Sequence, residues 1–151
     1  MIDILDYITL GNGAKAIRIC HDTMNKCDSD DLFIGENDRV LIKRVGVKMK
    51  HASTLEHLRF TFGVKKVFDV NIHNVENKNK LDNVINILSF FKNNKFSLYS
   101  NIEDTEQPPF YSFIISTNMR VLVENKEYFN KEMLDMFVPD CYRYLLEDEE
   151  K

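Results

Sequence analysis

Alternating apolar and polar residues predict four β-strands in this chain. The predicted strands cover residues 2–8, 58–65, 96–100 and 110–117. The clearest of them places Leu58, Phe60, Phe62 and Val64 on one face, as expected for a strand with one side buried. The last one is rich in strong β formers.

Apolar residues three and four positions apart predict helices between the strands. Gly11-Asn12-Gly13 is predicted to form a turn before the first helix. That helix would carry one face made of Ala14, Ile17, Cys20, His21 and Met24. A second helix is predicted to start at a cap, Asn37 or Asp38, and to run through Lys50 with Leu41, Val45 and Met49 spaced for burial. Later helical stretches are predicted at 81–91, with a stripe of Leu81, Val84, Ile85, Leu88 and Phe91, at 128–137 and at 139–146.

Polar stretches at 28–36 and 71–80 read as connections, and the chain contains no internal repeat. The order of elements predicts an α+β fold in which a mostly antiparallel sheet packs against helices. The length predicts one domain, residues 1–148, and the acidic end at 149–151 is expected to be frayed.

The segment from His51 to His57 concentrates polar chemistry directly before the clearest strand. Ser53 and Glu56 are three positions apart, the spacing of a capping box, so a short helix is predicted to start there. A helix start beside a strand is a common place to hold a phosphate or a cofactor. The alternative is structural: both histidines would bond to backbone, and Ser53 and Glu56 would serve only as caps.

Charge is unevenly distributed over a chain whose net charge is −4. Between residues 41 and 66 seven lysines and arginines accompany a single acid, Glu56, whereas acids dominate from Glu124 onward. The basic stretch either attracts the phosphates of a nucleotide or cofactor, or forms a solvated face balanced by acidic partners in an oligomer. The negative net charge of the whole chain does not favour nucleic-acid binding.

The three cysteines, Cys20, Cys27 and Cys141, are odd in number and scattered. They predict reduced thiols and a cytoplasmic protein, in a host cytoplasm if the source is viral. No run of apolar residues is long enough to predict a membrane span. Cys20-His21 with Cys27 has no standard zinc spacing, so no metal site is predicted, and Cys20 is expected on the apolar face of its helix.

Four segments, in order, resemble the flavin-dependent thymidylate synthases. They are Ala14–Cys20, which resembles the first helix of that family, His51-Ala52-Ser53-Thr54-Leu55-Glu56-His57, Ser116-Thr117-Asn118-Met119-Arg120-Val121-Leu122 and Met136–Leu146. The second is similar to the family's His-x-(Ser/Thr)-x-x-Glu-His segment, and the third to its Asn-Ala-Arg-Ser-Leu segment. The resemblance implies a synthase-like fold, FAD as cofactor, the nucleotide dUMP as ligand and a homo-oligomer, tetramer or dimer.

The resemblance assigns four cofactor-binding residues. His51 matches the family's active-site histidine, Ser53 matches a flavin-contacting Ser/Thr, and Asn118 and Arg120 match positions near the flavin. Asn118 and Arg120 have an alternative role, in which they anchor a strand end or pair with an acid across a subunit boundary.

The middle of the chain departs from the family. Members carry an Arg-His-Arg-x-x-Ser signature after the strand, where guanidiniums grip the flavin and the nucleotide phosphate. Here no arginine occurs between Arg59 and Arg120. No catalytic residue is therefore assigned.

Three hypotheses follow. The first is a degenerate, non-catalytic relative that binds a nucleotide, a flavin or a protein partner. The second is an active synthase that converts dUMP to dTMP with methylenetetrahydrofolate and NADPH, with missing contacts supplied by another chain in a homo- or hetero-oligomer. The third is a small viral or accessory interaction protein.

Overall fold

A four-stranded antiparallel sheet organises the protein. A computed structural model describes residues 2–65, 75–94, 100–104 and 111–147. The strands are β1 (Ile2–Tyr7), β2 (Arg59–Val64), β3 (Asn101–Asp104) and β4 (Phe113–Asn118), in the spatial order β1-β2-β4-β3. The predicted α+β class with an antiparallel sheet is confirmed. Of the predicted strand at 96–100, residues 96–99 lie outside the described residues, and Ser100 directly precedes β3.

The α-helices are α1 (Leu10–Cys20), α2 (Glu36–Lys43), α3 (Val75–Asn93), α4 (Met119–Glu124) and α5 (Lys131–Phe137). A π-helical turn, Arg44–Lys48, continues α2, and 3₁₀ helices cover Met24–Lys26, Ala52–His57, Lys126–Tyr128 and Asp140–Leu146. The 3₁₀ helix Ala52–His57 contains the histidine segment and is called the motif helix below.

The core lies between the apolar face of the sheet and the helices. Phe60, Phe62 and Val64 of β2 are buried together with Leu58, as the alternation predicts. The ring of Phe62 lies 5.0 Å from that of Phe137 in α5. On the other face of the sheet the hydroxyls of Thr61 and Ser116 are 2.9 Å apart. Alternation therefore determines which face of β2 packs, and each buried aromatic side chain contributes roughly 1.5–3 kcal/mol of hydrophobic stabilisation.

The turn predicted at Gly11-Asn12-Gly13 is wrong, because these residues lie inside α1. The helix starts one residue after Thr9, whose hydroxyl accepts a hydrogen bond from Asn12 N. The two glycines serve close packing. A Cβ at Gly11 would lie 1.9 Å from the carbonyl oxygen of Asp30, and one at Gly13 would lie 2.4 Å from Leu58 Cδ2.

The helix predicted from a cap at Asn37 or Asp38 starts earlier, at Glu36, with Gly35 at the cap position. Asp38 lies inside the helix and is fully buried, and its carboxylate pairs there with Arg18 of α1. Val45 is buried as predicted, but Met49 is 53% exposed, because the helix changes to a π-helical turn at Arg44 and its faces rotate.

Part of the connection predicted at 71–80 is also wrong. Residues 71–74 lie outside the described residues, but 75–80 form the first turns of α3. An ion pair between Lys80 and Glu76, one helical turn apart, accompanies this extension. In the same helix Ile87 is buried, whereas Ile85, placed in the predicted stripe, is exposed.

The helix predicted at 128–137 is interrupted after Tyr128 and restarts as α5. The side chain of Asn130 accepts a hydrogen bond from Met133 N at 2.8 Å and so defines the restart.

Candidate functional site

The register of β2 and β4 brings two distant segments of the chain together. Arg59, at the start of β2, is paired with Asn118, at the end of β4. The motif helix precedes β2 and α4 follows β4, so both lie at the same end of the sheet. Met119 N donates a hydrogen bond to the carbonyl oxygen of Leu58 at 3.1 Å. Two of the segments that resemble the synthase family therefore form one structural unit.

Asn118 is fully buried and caps α4. Its Oδ1 accepts hydrogen bonds from Arg120 N at 2.9 Å and from Val121 N at 3.4 Å. These backbone groups are among those that the first turn of a helix leaves without an internal partner. The contact corresponds to the structural alternative, in which Asn118 anchors a strand end.

Arg120 connects α4 to the motif helix. Its Nη1 lies 2.8 Å from Glu56 Oε1, and its Nε lies 2.9 Å from Glu124 Oε1. The Arg120 side chain is 24% exposed, so the pair with Glu56 is partly shielded from water. Arg120 therefore pairs with two acids of its own chain, and the predicted alternative of a pair across a subunit boundary stays a prediction.

The capping box predicted for Ser53 and Glu56 is wrong. His51 occupies the cap position of the motif helix, and no side chain there makes a capping hydrogen bond. Thr54 N instead donates to the carbonyl oxygen of His51, as the tighter 3₁₀ geometry requires. Glu56 is oriented toward Arg120, an ion pair that no local pattern indicates because 64 residues separate the partners.

His51 and Ser53 are both exposed at the start of the motif helix. They are the two predicted cofactor-binding residues whose side chains face solvent, whereas Asn118 and Arg120 hold the framework behind them. The assignment of these four residues to cofactor binding stays a prediction.

Cys20 is exposed, so its predicted place on an apolar face is wrong. It lies in the last position of α1, with its Sγ 3.6 Å from Nε2 of His57. Cys141 differs from it, because burial raises the pKa of its thiol to about 11. Among the described residues no group of three or more His, Cys, Asp or Glu side chains could hold a metal ion.

An open cleft lies where β1 ends beside β2. It encloses about 220 Å³ and is lined by Asp6, Tyr7, Ile8, Arg59, Phe60 and Thr61. Ile8 N donates to the carbonyl oxygen of Arg59 at 2.9 Å, which fixes one wall of the cleft. The buried Tyr142 braces this wall by donating its hydroxyl hydrogen to the Ile8 carbonyl, and burial raises its pKa. Arg59, an exposed residue two positions after the motif helix, lines this cleft and was not among the site residues predicted from the sequence.

Comparison with known proteins identifies relatives of one kind. The flavin-dependent thymidylate synthase of Wolinella succinogenes is 44% identical over 66 residues, which is 44% of this chain and 30% of that protein. That of Campylobacter jejuni is 42% identical over 66 residues, again 44% and 30% of the two chains. Over these 66 residues the chain is similar to the flavin-dependent thymidylate synthases. The matched part spans less than a third of the length of these relatives, and no protein-family model matches the chain.

The fold agrees with this partial similarity in sequence. Thymidylate synthase X of Helicobacter pylori, whose crystal structure holds FAD and dUMP, superposes with a TM-score of 0.50 and 21% identity. The superposition covers 97% of each chain. The predicted synthase-like fold is confirmed. Within the described residues, no helix has the length and apolar character required to cross a bilayer.

Proposed function

We propose that this protein is a thymidylate synthase relative that binds a nucleotide or flavin beside the motif helix and does not by itself convert dUMP to dTMP. The observation that carries the proposal is the engagement of Arg120 with Glu56 and Glu124. A guanidinium that already pairs with two carboxylates of its own chain has little capacity left for a phosphate dianion.

The sequence between β2 and β4 supports the same conclusion. It contains no arginine, whereas the family's signature places several guanidiniums there. Lysines 65 and 66 follow the strand, but Lys65 already pairs with Asp3 at 3.0 Å. An ammonium group also lacks the planar fork that binds phosphate in two-point contact.

The groups that remain suited to a ligand are few and lie close together in the sequence. His51 and Ser53 offer an imidazole and a hydroxyl at the surface, and Arg59 offers a guanidinium at the cleft. One guanidinium with an imidazole and a hydroxyl suits a ligand held by a single phosphate and a stacked or hydrogen-bonded ring. FAD and dUMP, the ligands of the Helicobacter pylori structure, both contain these parts.

A second candidate function is synthase activity in an assembly with another chain, either a copy of this one or a longer synthase. The exposure of His51 and Ser53 favours it, because a partner could reach both side chains and add the missing guanidiniums. Homo- and hetero-oligomers both remain compatible with this proposal.

Measurements of ligand binding and of catalytic turnover distinguish the two candidate functions. FAD and dUMP are titrated separately into the purified protein, with flavin fluorescence and calorimetry as readouts. Ser53→Ala and Arg59→Gln should each weaken binding several-fold, whereas Ser89→Ala, at an exposed serine of α3, should not. If the protein binds neither FAD nor dUMP, the proposal is wrong.

Activity is tested in a thymidine-requiring cell that expresses this gene alone or together with a full-length synthase. Failure of rescue by this gene alone is expected. Rescue by this gene alone would contradict the proposal of a non-catalytic relative. Rescue that needs both genes, with the full-length partner itself inactivated, would establish the second candidate.

A further inference from the structure

Helix α2 and its π-helical continuation carry positive charge on two neighbouring stripes. One stripe lines a depression of about 150 Å³ together with Tyr144, and its helix residues are Glu36, Arg39, Val40, Lys43 and Lys48. The other lines a wider depression of about 530 Å³, and its residues are Asn37, Val40, Leu41 and Arg44, joined by Arg18 and Lys26. Val40 is exposed and separates the two depressions. This surface is called the basic face below.

Within the described residues, three cations of the basic face have no acidic partner. Among the described ranges 2–65, 75–94, 100–104 and 111–147, no carboxylate lies within ion-pair distance of Arg39, Lys43 or Arg44. Other cations of the chain, such as Arg18 and Arg143, do pair with carboxylates. In a protein with a net charge of −4, neighbouring cations that lack an acidic partner among the described residues produce a local positive potential.

Arg39 is held in place without the use of a carboxylate. Its guanidinium lies 4.5 Å from the centre of the Tyr144 ring, and the Tyr144 hydroxyl donates to the Arg39 carbonyl at 2.9 Å. Burial raises the pKa of Tyr144, so the hydroxyl stays protonated at neutral pH and keeps this hydrogen bond. Stacking on a ring leaves the N–H groups at the edge of a guanidinium able to donate.

Lys43 is also oriented, because its Nζ donates to the carbonyl oxygen of Glu147 at 3.0 Å. That contact uses one of the three hydrogens of the ammonium group. The acid that lines the first depression is Glu36, located at the first turn of α2, where the helix dipole stabilises its negative charge. The cations lie further along the helix, toward the end where positive charge is favoured.

We propose that the basic face is a second ligand site, which binds successive phosphate groups of one ligand. Two cationic depressions on neighbouring stripes of one helix, separated by Val40, suit two linked phosphates better than one isolated anion. Nucleoside triphosphates present directly linked phosphates, and single-stranded nucleic acid presents successive phosphates joined through its sugars. The site shares no side chain with the one assigned above to His51, Ser53 and Arg59, so either proposal can fail alone.

The experiment measures binding of fluorescein-labelled (dT)15 by fluorescence anisotropy as a function of salt, with ATP and inorganic tripolyphosphate as competitors. The test variant is Arg39→Gln/Lys43→Gln/Arg44→Gln. The matched control, Lys78→Gln/Lys80→Gln/Lys131→Gln, removes three exposed cations from α3 and α5 and gives the same net charge. Circular dichroism melting curves verify that both variants are folded.

The test variant should lose about tenfold or more in affinity, and the slope of log affinity against log salt should fall by about one for each phosphate contact removed. The control should keep most of the affinity and the salt slope. Displacement by ATP and tripolyphosphate at concentrations well below that of the competing salt assigns the site to nucleotides. Displacement only by unlabelled (dT)15 assigns it to nucleic acid.

Three results would overturn the proposal: no binding of the labelled (dT)15 at low salt, equal loss in test and control variants, or loss caused by Ser53→Ala and Arg59→Gln instead. If the triple variant does not fold, Arg44→Gln alone is used, because Arg44 is exposed and has no acidic partner among the described residues. An unchanged salt slope in that single variant would then count as refutation.

Discussion

Replacement of Asp38 by alanine should destabilise the protein more than any single change at its surface. Asp38 of α2 is fully buried, and its Oδ1 lies 2.9 Å from Nε and 2.8 Å from Nη2 of Arg18 in α1. Its Oδ2 accepts longer contacts, at 3.3 Å, from the Cys27 thiol and from Asp28 N. One carboxylate therefore joins two helices and the acidic loop at residues 27–35.

Asp38→Ala leaves the guanidinium of Arg18 buried without a counter-charge, since Arg18 is only 6% exposed. Loss of one partner from a buried ion pair costs about 3–5 kcal/mol. If the free energy of unfolding falls by about 2 kcal/mol per M urea, the urea concentration at the unfolding midpoint should fall by about 2 M. Arg18→Met should cost less, because Asp38 retains its contacts with Cys27 and Asp28.

Urea unfolding followed by circular dichroism at pH 7 measures these losses for both single variants and for Arg18→Met/Asp38→Leu. The double variant removes both charges and should be more stable than Asp38→Ala, as found when apolar groups replace buried pairs. A loss below about 1 kcal/mol for Asp38→Ala, or single losses that simply add in the double variant, would refute the argument.

Three further predictions concern acid, the motif helix and close packing. Burial alone would raise the pKa of Asp38, but hydrogen bonds from Ser29, Arg18 and Cys27 outweigh it and lower that pKa below 3.8. The resulting stability is present above pH 3.8 and lost as the pH falls through the lower folded value, so acid titration should show a transition that Asp38→Asn weakens. Arg120→Ala should cost about 1 kcal/mol in thermal unfolding, because its ion pairs are partly exposed, and a cost equal to that of Asp38→Ala would contradict this. A Cβ at Gly46 would lie 2.5 Å from Leu55 Cδ2, so Gly46→Ala should cost about 1–3 kcal/mol in urea unfolding; an unchanged midpoint would show that the buried Leu55 can move aside.

Predictions from the local sequence pattern succeed where the burial of one face determines whether a segment forms a strand or a helix. The alternation from Leu58 to Val64 predicts both a strand and its buried face, and the structure confirms both. Predictions fail where a distant residue changes the local preference. Gly11 and Gly13 suggest a turn by residue type, but they lie inside α1, where Asp30 and Leu58 approach too closely for any side chain.

The candidate site shows the same division. The sequence alone identifies the segment His51–His57, its resemblance to the flavin-dependent thymidylate synthases and the absence of arginine between Arg59 and Arg120. These properties depend on residue identity and order, which need no folded chain to be known.

The tertiary structure alone decides how Glu56 and Arg120 are used. Glu56 has the spacing of a capping residue, but the pairing of β2 with β4 brings it within 2.8 Å of Arg120. A nearby full charge attracts a carboxylate more strongly than a backbone N–H does. The tertiary structure likewise decides which cations of the basic face form ion pairs, because ion pairing depends on distances in the folded chain. The sequence determines which charges exist, and only the packed structure determines which of them are neutralised.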